Sequence, residues 1–142
     1  MQDIMLFIVH HRILSLSLVS VVILLIILEF IKLKSSATRL TPAEVTELLN
    51  HQNAVIVDIR SAAQFKEGHI VGSLSLPMAE LEQKVKKLEK FKSQPMIIVC
   101  ASGLESPRAA VLLGKQGFNI RILGSGMRAW REAAMPLVKE QK

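Results

Sequence analysis

The chain contains one cysteine, Cys100, which closes the stretch MIIVC (residues 96–100) and is followed by ASGLESPRAA (residues 101–110). A short, continuous apolar run of this kind suits a strand buried on both faces. SPRAAVLLGKQGF, which comes next, has the spacing of a helix closed by Gly117. The sulfur therefore stands where a strand hands over to a helix. A thiolate at a helix N-terminus is favoured by unpaired backbone N–H groups and by the helix dipole, and such settings make cysteines reactive. Curled around the sulfur, Ala101, Ser102, Gly103, Leu104, Glu105 and Ser106 would form a cradle of amides. That cradle suits a thiolate, or the anionic outer sulfur of a persulfide. Gly103 allows the loop to turn with positive φ. The hydroxyls of Ser102 and Ser106 either donate to the sulfur or serve turn and capping chemistry, and Pro107 makes an N-cap role for Ser106 the direct alternative.

The surrounding elements must position that loop. TPAEVTELLN begins a helix, with Thr41 as N-cap, Pro42 in the first position and Glu44 three after the cap. AVIVDIR (residues 54–60) is a second buried strand. AAQFKEG reads as a short helix stopped by Gly68. MAELEQKVKKLEKF places Leu81, Val85 and Leu88 at helical spacing, with lysines outside. NIRIL is a third strand and GMRAWREA a last helix. Strands alternating with helices predict an α/β fold, a mostly parallel sheet with helices on both faces. In such sheets ligands bind beyond the carboxyl ends of the strands, which is where Cys100 falls. A lone cysteine is often only a small buried hydrophobe, and this placement argues against that plainer role.

Three segments together resemble the rhodanese-like domains, over about residues 38–138. VDIRSAAQFKEGHIVGSLSLP carries Asp58, Arg60, Phe65, Gly68, His69, Ile70, Gly72 and Pro77 in register with the family pattern. The loop IIVCASGLES carries Cys100, Ser102, Gly103 and Ser106, and GFNIRILGSGMRAW carries Gly117, Phe118, Leu123, Gly124, Gly126 and Trp130. The resemblance implies the rhodanese-like parallel sheet and a sulfurtransferase without a cofactor or metal. In it Cys100 takes sulfane sulfur from a donor, holds it as a persulfide and passes it to an acceptor, each a small molecule or a protein. Asp58, Arg60 and His69 are expected to be structural, and Trp130 a packing anchor.

The loop departs from that pattern in charge. Active members often carry a basic residue directly after the cysteine and another at the fifth position beyond it; here these are Ala101 and Glu105. Two unit charges about 4 Å apart interact by about 1 kcal/mol in water and about 4 at an effective dielectric near 20. A carboxylate in place of a cation therefore predicts weak activity with thiosulfate. Arg108 is expected either to compensate or to pair with Glu105 at i, i+3. Phosphatases of the Cys-x5-Arg type need arginine at the sixth position to grip phosphate; that position is Ser106, which argues against the activity. The competing readings are a membrane-attached docking or regulatory module and a sensor in which Cys100 oxidises reversibly.

The N-terminus is of a different kind. ILSLSLVSVVILLIIL (residues 13–28) holds no charge, and only Glu29 interrupts the run before Phe30 and Ile31. About 20 apolar residues cross a bilayer as a helix. The serines can return their hydroxyls to carbonyls one turn back, and Glu29 lies near the interface, snorkelling or protonated. A cleaved signal peptide would have a shorter apolar run; SSA (residues 35–37) is the one candidate cleavage site. The expected organisation is a short tail (1–12), a transmembrane helix (13–33), a linker (34–39), a rhodanese-like domain (40–138) and a C-terminal tail (139–142). This single anchor also looks like that of the bacterial membrane-anchored, single-domain members. Lys32, Lys34 and Arg39 on one flank outweigh Arg12 on the other, which predicts a bacterial inner-membrane protein with its C-terminal domain in the cytoplasm, where a membrane protein is one expected partner.

Composition narrows the rest. Lys and Arg number 18 against 12 Asp and Glu, a net charge of +6. With five Phe, one Trp and no Tyr, a base-stacking surface is poorly supplied, and no nucleic-acid partner is expected. One cysteine excludes zinc-finger spacing and an internal disulfide. The surplus charge is expected as lipid-facing flanks and a solvated lysine face over residues 84–92.

Overall fold

The computed structural model describes residues 11–35 and 37–140. The chain divides into two units, the first ending at Ser35. The first unit is helix α1, Arg12–Ser35, of 24 residues, about 36 Å long at 1.5 Å per residue. From Ile13 to Leu28 its large apolar side chains are exposed, from 84% at Ile13 to 45% at Val22. Ser17 Oγ donates to Leu14 O and Ser20 Oγ to Ser17 O, both at 2.8 Å. Those two hydroxyls are paired inside the helix, which leaves no unpaired polar side chain over residues 16–28. The window Arg12–Glu29 has a mean hydropathy of 2.4, and by length and composition this helix can cross a membrane.

The second unit is a five-stranded sheet, every neighbouring pair parallel, in the order β1-β5-β4-β2-β3. Its strands are β1 (Thr38–Leu40), β2 (Val55–Asp58), β3 (Leu74–Ser75), β4 (Met96–Val99) and β5 (Ile120–Leu123). The intervening α-helices are α2 (Pro42–His51), α3 (Ala62–Glu67), α4 (Leu81–Lys84), α5 (Ser106–Lys115) and α6 (Gly126–Glu132). The parallel α/β sheet expected from the sequence is present. The central strand β4 is buried along its whole length, and its alternation divides the core. Met96, Ile98 and Cys100 join Ala109, Ala110 and Leu113 of α5 with Leu81 and Leu88. Ile97 and Val99 point the other way, into a cluster with Val45, Met127 and Trp130. Cys100 thus continues the strand's two-residue period into the α5 side.

Three expectations are refined. Strands β1 and β3 were not visible in the sequence; at three and two residues they are too short to show a period, and they form the sheet's edges. Thr38 and Arg39, the last two residues of the expected linker, pair with β5 together with Leu40. The expected helix over residues 78–91 is instead a 3₁₀ turn (Met78–Glu80), α4, and a second 3₁₀ stretch (Val85–Phe91). Val85, Leu88 and Phe91 all pack on the core. Their spacing of three falls on one line in a 3₁₀ helix, where i and i+3 eclipse, whereas in an α-helix the same residues drift by about 60° at each step. The start of α2 is as read: Thr41 Oγ1 accepts from Glu44 N–H at 3.3 Å, while Glu44 Oε2 accepts from Thr41 N–H at 2.7 Å.

Candidate active site

Cys100 ends the central strand, 1% exposed. Its Sγ accepts a hydrogen bond from the Gly103 N–H at 3.0 Å, which closes the loop over the sulfur. Gly103 is at φ +87°, and a Cβ there would lie 2.9 Å from Ser125 N. Both the turn and the close approach need glycine. Ala101, Leu104 and Glu105 are exposed, Ser102 is half-buried, and Ser106 is fully buried at the first position of α5.

The loop is held from behind by α6. Met127 N–H donates to Cys100 O at 2.8 Å, and Arg128 N–H to Ala101 O at 3.2 Å. Unpaired N-terminal amides of one helix thereby satisfy carbonyls of the loop. Gly126, at φ +56°, passes so close that an added Cβ would fall 2.1 Å from the Cys100 carbonyl oxygen. An alanine there cannot be accommodated without moving the cysteine. Reading elements in isolation missed this brace; the signal for it was the pair of glycines in LGSGM, since glycine at a strand end often marks a close backbone approach.

The amides of Ser102, Leu104, Glu105 and Ser106, in the same loop, donate to no protein acceptor among the described residues. Glu105, in the same loop, has no salt-bridge partner among the described residues. Arg108 does not pair with it. Instead Arg108 lines a separate groove of about 780 Å³ on the outer flank of α5, with Glu82, Glu89 and Lys115, and no residue of the cysteine loop lines that groove. Among the described residues no group of three or more His, Cys, Asp or Glu could hold a metal ion.

The other motif residues are placed as supports. Asp58 and Arg60 are 1% and 4% exposed and form a buried pair, with Nη2 to Oδ2 at 2.6 Å and Nε 3.0 Å from both carboxylate oxygens. Asp58 Oδ1 also accepts the Arg60 backbone N–H, and Nη2 reaches Gly68 O at 2.8 Å. His69 stacks on Phe65 at 3.8 Å between centroids. Its Nδ1 lies 2.9 Å from the Phe65 carbonyl oxygen, which can only accept, so Nδ1 carries the proton. Trp130 is 3% exposed and donates Nε1–H to Pro136 O.

A parallel sheet whose central strand ends in a cysteine under a loop of open amides defines the class. The chain belongs to the rhodanese-like domain family, whose model matches residues 41–133. It is 36% identical to the YibN protein of Escherichia coli strain K12 over 141 residues, 98% of this chain and 99% of that one, a match that includes the segment forming α1. It is 39% identical to the thiosulfate sulfurtransferase GlpE of Pseudoalteromonas translucida over 92 residues, covering 64% of this chain and 86% of GlpE. Among solved structures, a rhodanese-related protein from Thermoplasma volcanium superposes with a TM-score of 0.67 at 28% identity, covering 72% of this chain and 99% of that one.

Proposed function

We propose that this protein is a membrane-anchored sulfurtransferase that carries sulfane sulfur as a persulfide on Cys100. The observation that carries the reading is the position of Cys100 Sγ, under a loop whose Gly103 amide already donates to it while neighbouring amides stay unpaired. The thiolate attacks the outer sulfur of a donor such as thiosulfate. The Sγ–S bond forms, the S–S bond of the donor breaks, and its electron pair leaves on sulfite. An acceptor thiolate then attacks the terminal sulfur, takes it as its own persulfide and returns the Cys100 thiolate. Unpaired amides favour the negative charge at each stage. The uncompensated Glu105 opposes a dianionic donor, so a low-charge or protein-bound donor fits better than thiosulfate.

Helix α1 supplies the anchor, spanning the bilayer over residues 13–33, and the basic flank after it favours a cytoplasmic catalytic domain at a bacterial inner membrane. A second reading, a docking or regulatory module with little catalysis, is favoured by Ala101 and Glu105, at positions where active members of the family often carry cations. Intact-mass spectrometry of the full chain in detergent, after treatment with thiosulfate and separately with a small organic persulfide, decides between them. A gain of one sulfur that is absent in Cys100→Ser supports the carrier. A folded protein that gains none from either donor leaves the docking module.

A further inference from the structure

The Ser106 hydroxyl is unusual among the polar groups of this domain. Its residue is 0% exposed, and among the described residues its Oγ is the one buried side-chain nitrogen or oxygen without a hydrogen-bond partner. Buried hydroxyls are nearly always paired, because an unmade bond in the interior forfeits the solvation that the group had in water. Ordinary duties for a serine at this place are not fulfilled. Glu105 is the N-cap residue of α5 and no side chain caps this helix. Pro107 has no N–H to offer, and the next two amides, of Arg108 and Ala109, both turn to Glu105 O.

The direction of the hydroxyl follows from the helix. Ser106, Ala109, Ala110 and Leu113 are the buried residues of α5, and their spacing of three and four draws one stripe against the sheet. Ala109, Ala110 and Leu113 share their apolar cluster with Cys100. Ser106 therefore lies on the face of α5 that packs against the cluster holding Cys100, at the end of the helix nearest the cysteine loop. Its O–H comes from the helix side and the Gly103 N–H from the loop side, yet only the latter is engaged.

We infer that Ser106 is the donor reserved for the outer sulfur of the Cys100 persulfide, so that the site's hydrogen bonding is complete only when the cysteine is loaded. The outer sulfur lies one S–S bond, about 2.05 Å, beyond Sγ, and carries the negative charge that an unpaired donor at a helix N-terminus favours. This inference rests on the persulfide reading and adds to it a thermodynamic bias: the empty protein carries an unpaired group that the loaded protein pairs. Such a site holds sulfur until an acceptor arrives and does not release it at once.

The test uses the full chain in detergent, wild type and Ser106→Ala, each equilibrated with a small thiol and its persulfide at fixed ratio. Loading is read by intact mass, and thermal unfolding is followed in the loaded and empty forms. The expected result has two parts. Removing an unpaired hydroxyl leaves the empty form's melting temperature unchanged or raised, and the fraction of loaded Cys100 at equilibrium falls to correspond to an exchange constant about tenfold lower. The rise in melting temperature on loading, present in the wild type, shrinks in the variant. A Ser106→Ala protein that loses stability equally in both forms, with its exchange constant unchanged, overturns the inference and makes Ser106 structural. A wild type that takes up no sulfur from the persulfide overturns the persulfide reading, and this inference with it.

Discussion

Strands β2 and β4 lie side by side in the sheet and each runs directly into a helix, yet the two junctions are finished in opposite ways. After β2, the Asp58 carboxylate takes three donors from Arg60, Arg60 also reaches Gly68 O, and Ser61 and Gln64 form a reciprocal cap on α3. After β4, among the described residues, the cysteine sulfur has one donor, α5 has no side-chain cap and the Ser106 hydroxyl has no partner. The same topology yields a closed joint, with its polar groups paired, and an open one that leaves polar groups unpaired. Unsatisfied groups tolerated in a native fold tend to mark where a fold gives up stability for function.

The largest effect should come from opening the closed joint. Arg60→Ala leaves the Asp58 carboxylate buried without its partner, and breaking such a pair costs about 3–5 kcal/mol. The melting temperature of the full chain should fall steeply, with sulfur uptake lost through unfolding. A variant that melts like the wild type would show that water replaces the guanidinium and that the joint is not closed in this sense.

The second effect sharpens the open joint. Glu105→Arg exchanges a repulsive for an attractive charge near the sulfur, a change of about 2 kcal/mol in the transition state for a dianionic donor. Its kcat/KM for thiosulfate should rise roughly 10- to 30-fold, with a smaller change for an uncharged donor. Equal change for both donors would remove the electrostatic account.

The smallest effect belongs to a third junction, from β1 into α2, which is also closed. Glu44 lies below its ordinary value of 4.5, because its carboxylate accepts first the Thr41 backbone N–H and then the Thr41 hydroxyl. The folded value is below the unfolded one, so this contribution is complete above the unfolded carboxylate range and is lost as pH falls through the folded value. Glu44→Gln, which keeps the shape of the cap, should flatten slightly the acid limb of melting temperature against pH and leave sulfur uptake unchanged. An identical acid limb would mean that the cap carries no pH-dependent stability.

Much of the closed architecture was legible because it is local. The Thr41–Glu44 cap, the stop at Gly68 and the burial of β4 follow from residue types within a few positions of each other. The cysteine loop was legible as a position, at the end of the most apolar strand, and through its family resemblance. What the sequence hid was non-local. Nothing near Cys100 announces that Met127 and Arg128 brace its loop, and nothing near Glu105 shows that Arg108 faces a groove on the other flank of its helix. The state of Ser106 was ambiguous for a related reason. A serine before proline is a fair cap by local rules, and only the packed stripe of α5 turns its hydroxyl inward.

The sheet order has a consequence for how the molecule is made. β1 is the first strand of the domain and pairs with β5, the last, Thr38 opposite Arg121. On a translating ribosome α1 and β1 emerge early, but the partner of β1 is synthesised only when nearly the whole domain has been extended. Parallel pairings of such long range form slowly and late. The first strand of the domain is therefore left unpaired until the last is made, and the β1 edge of the sheet is completed last.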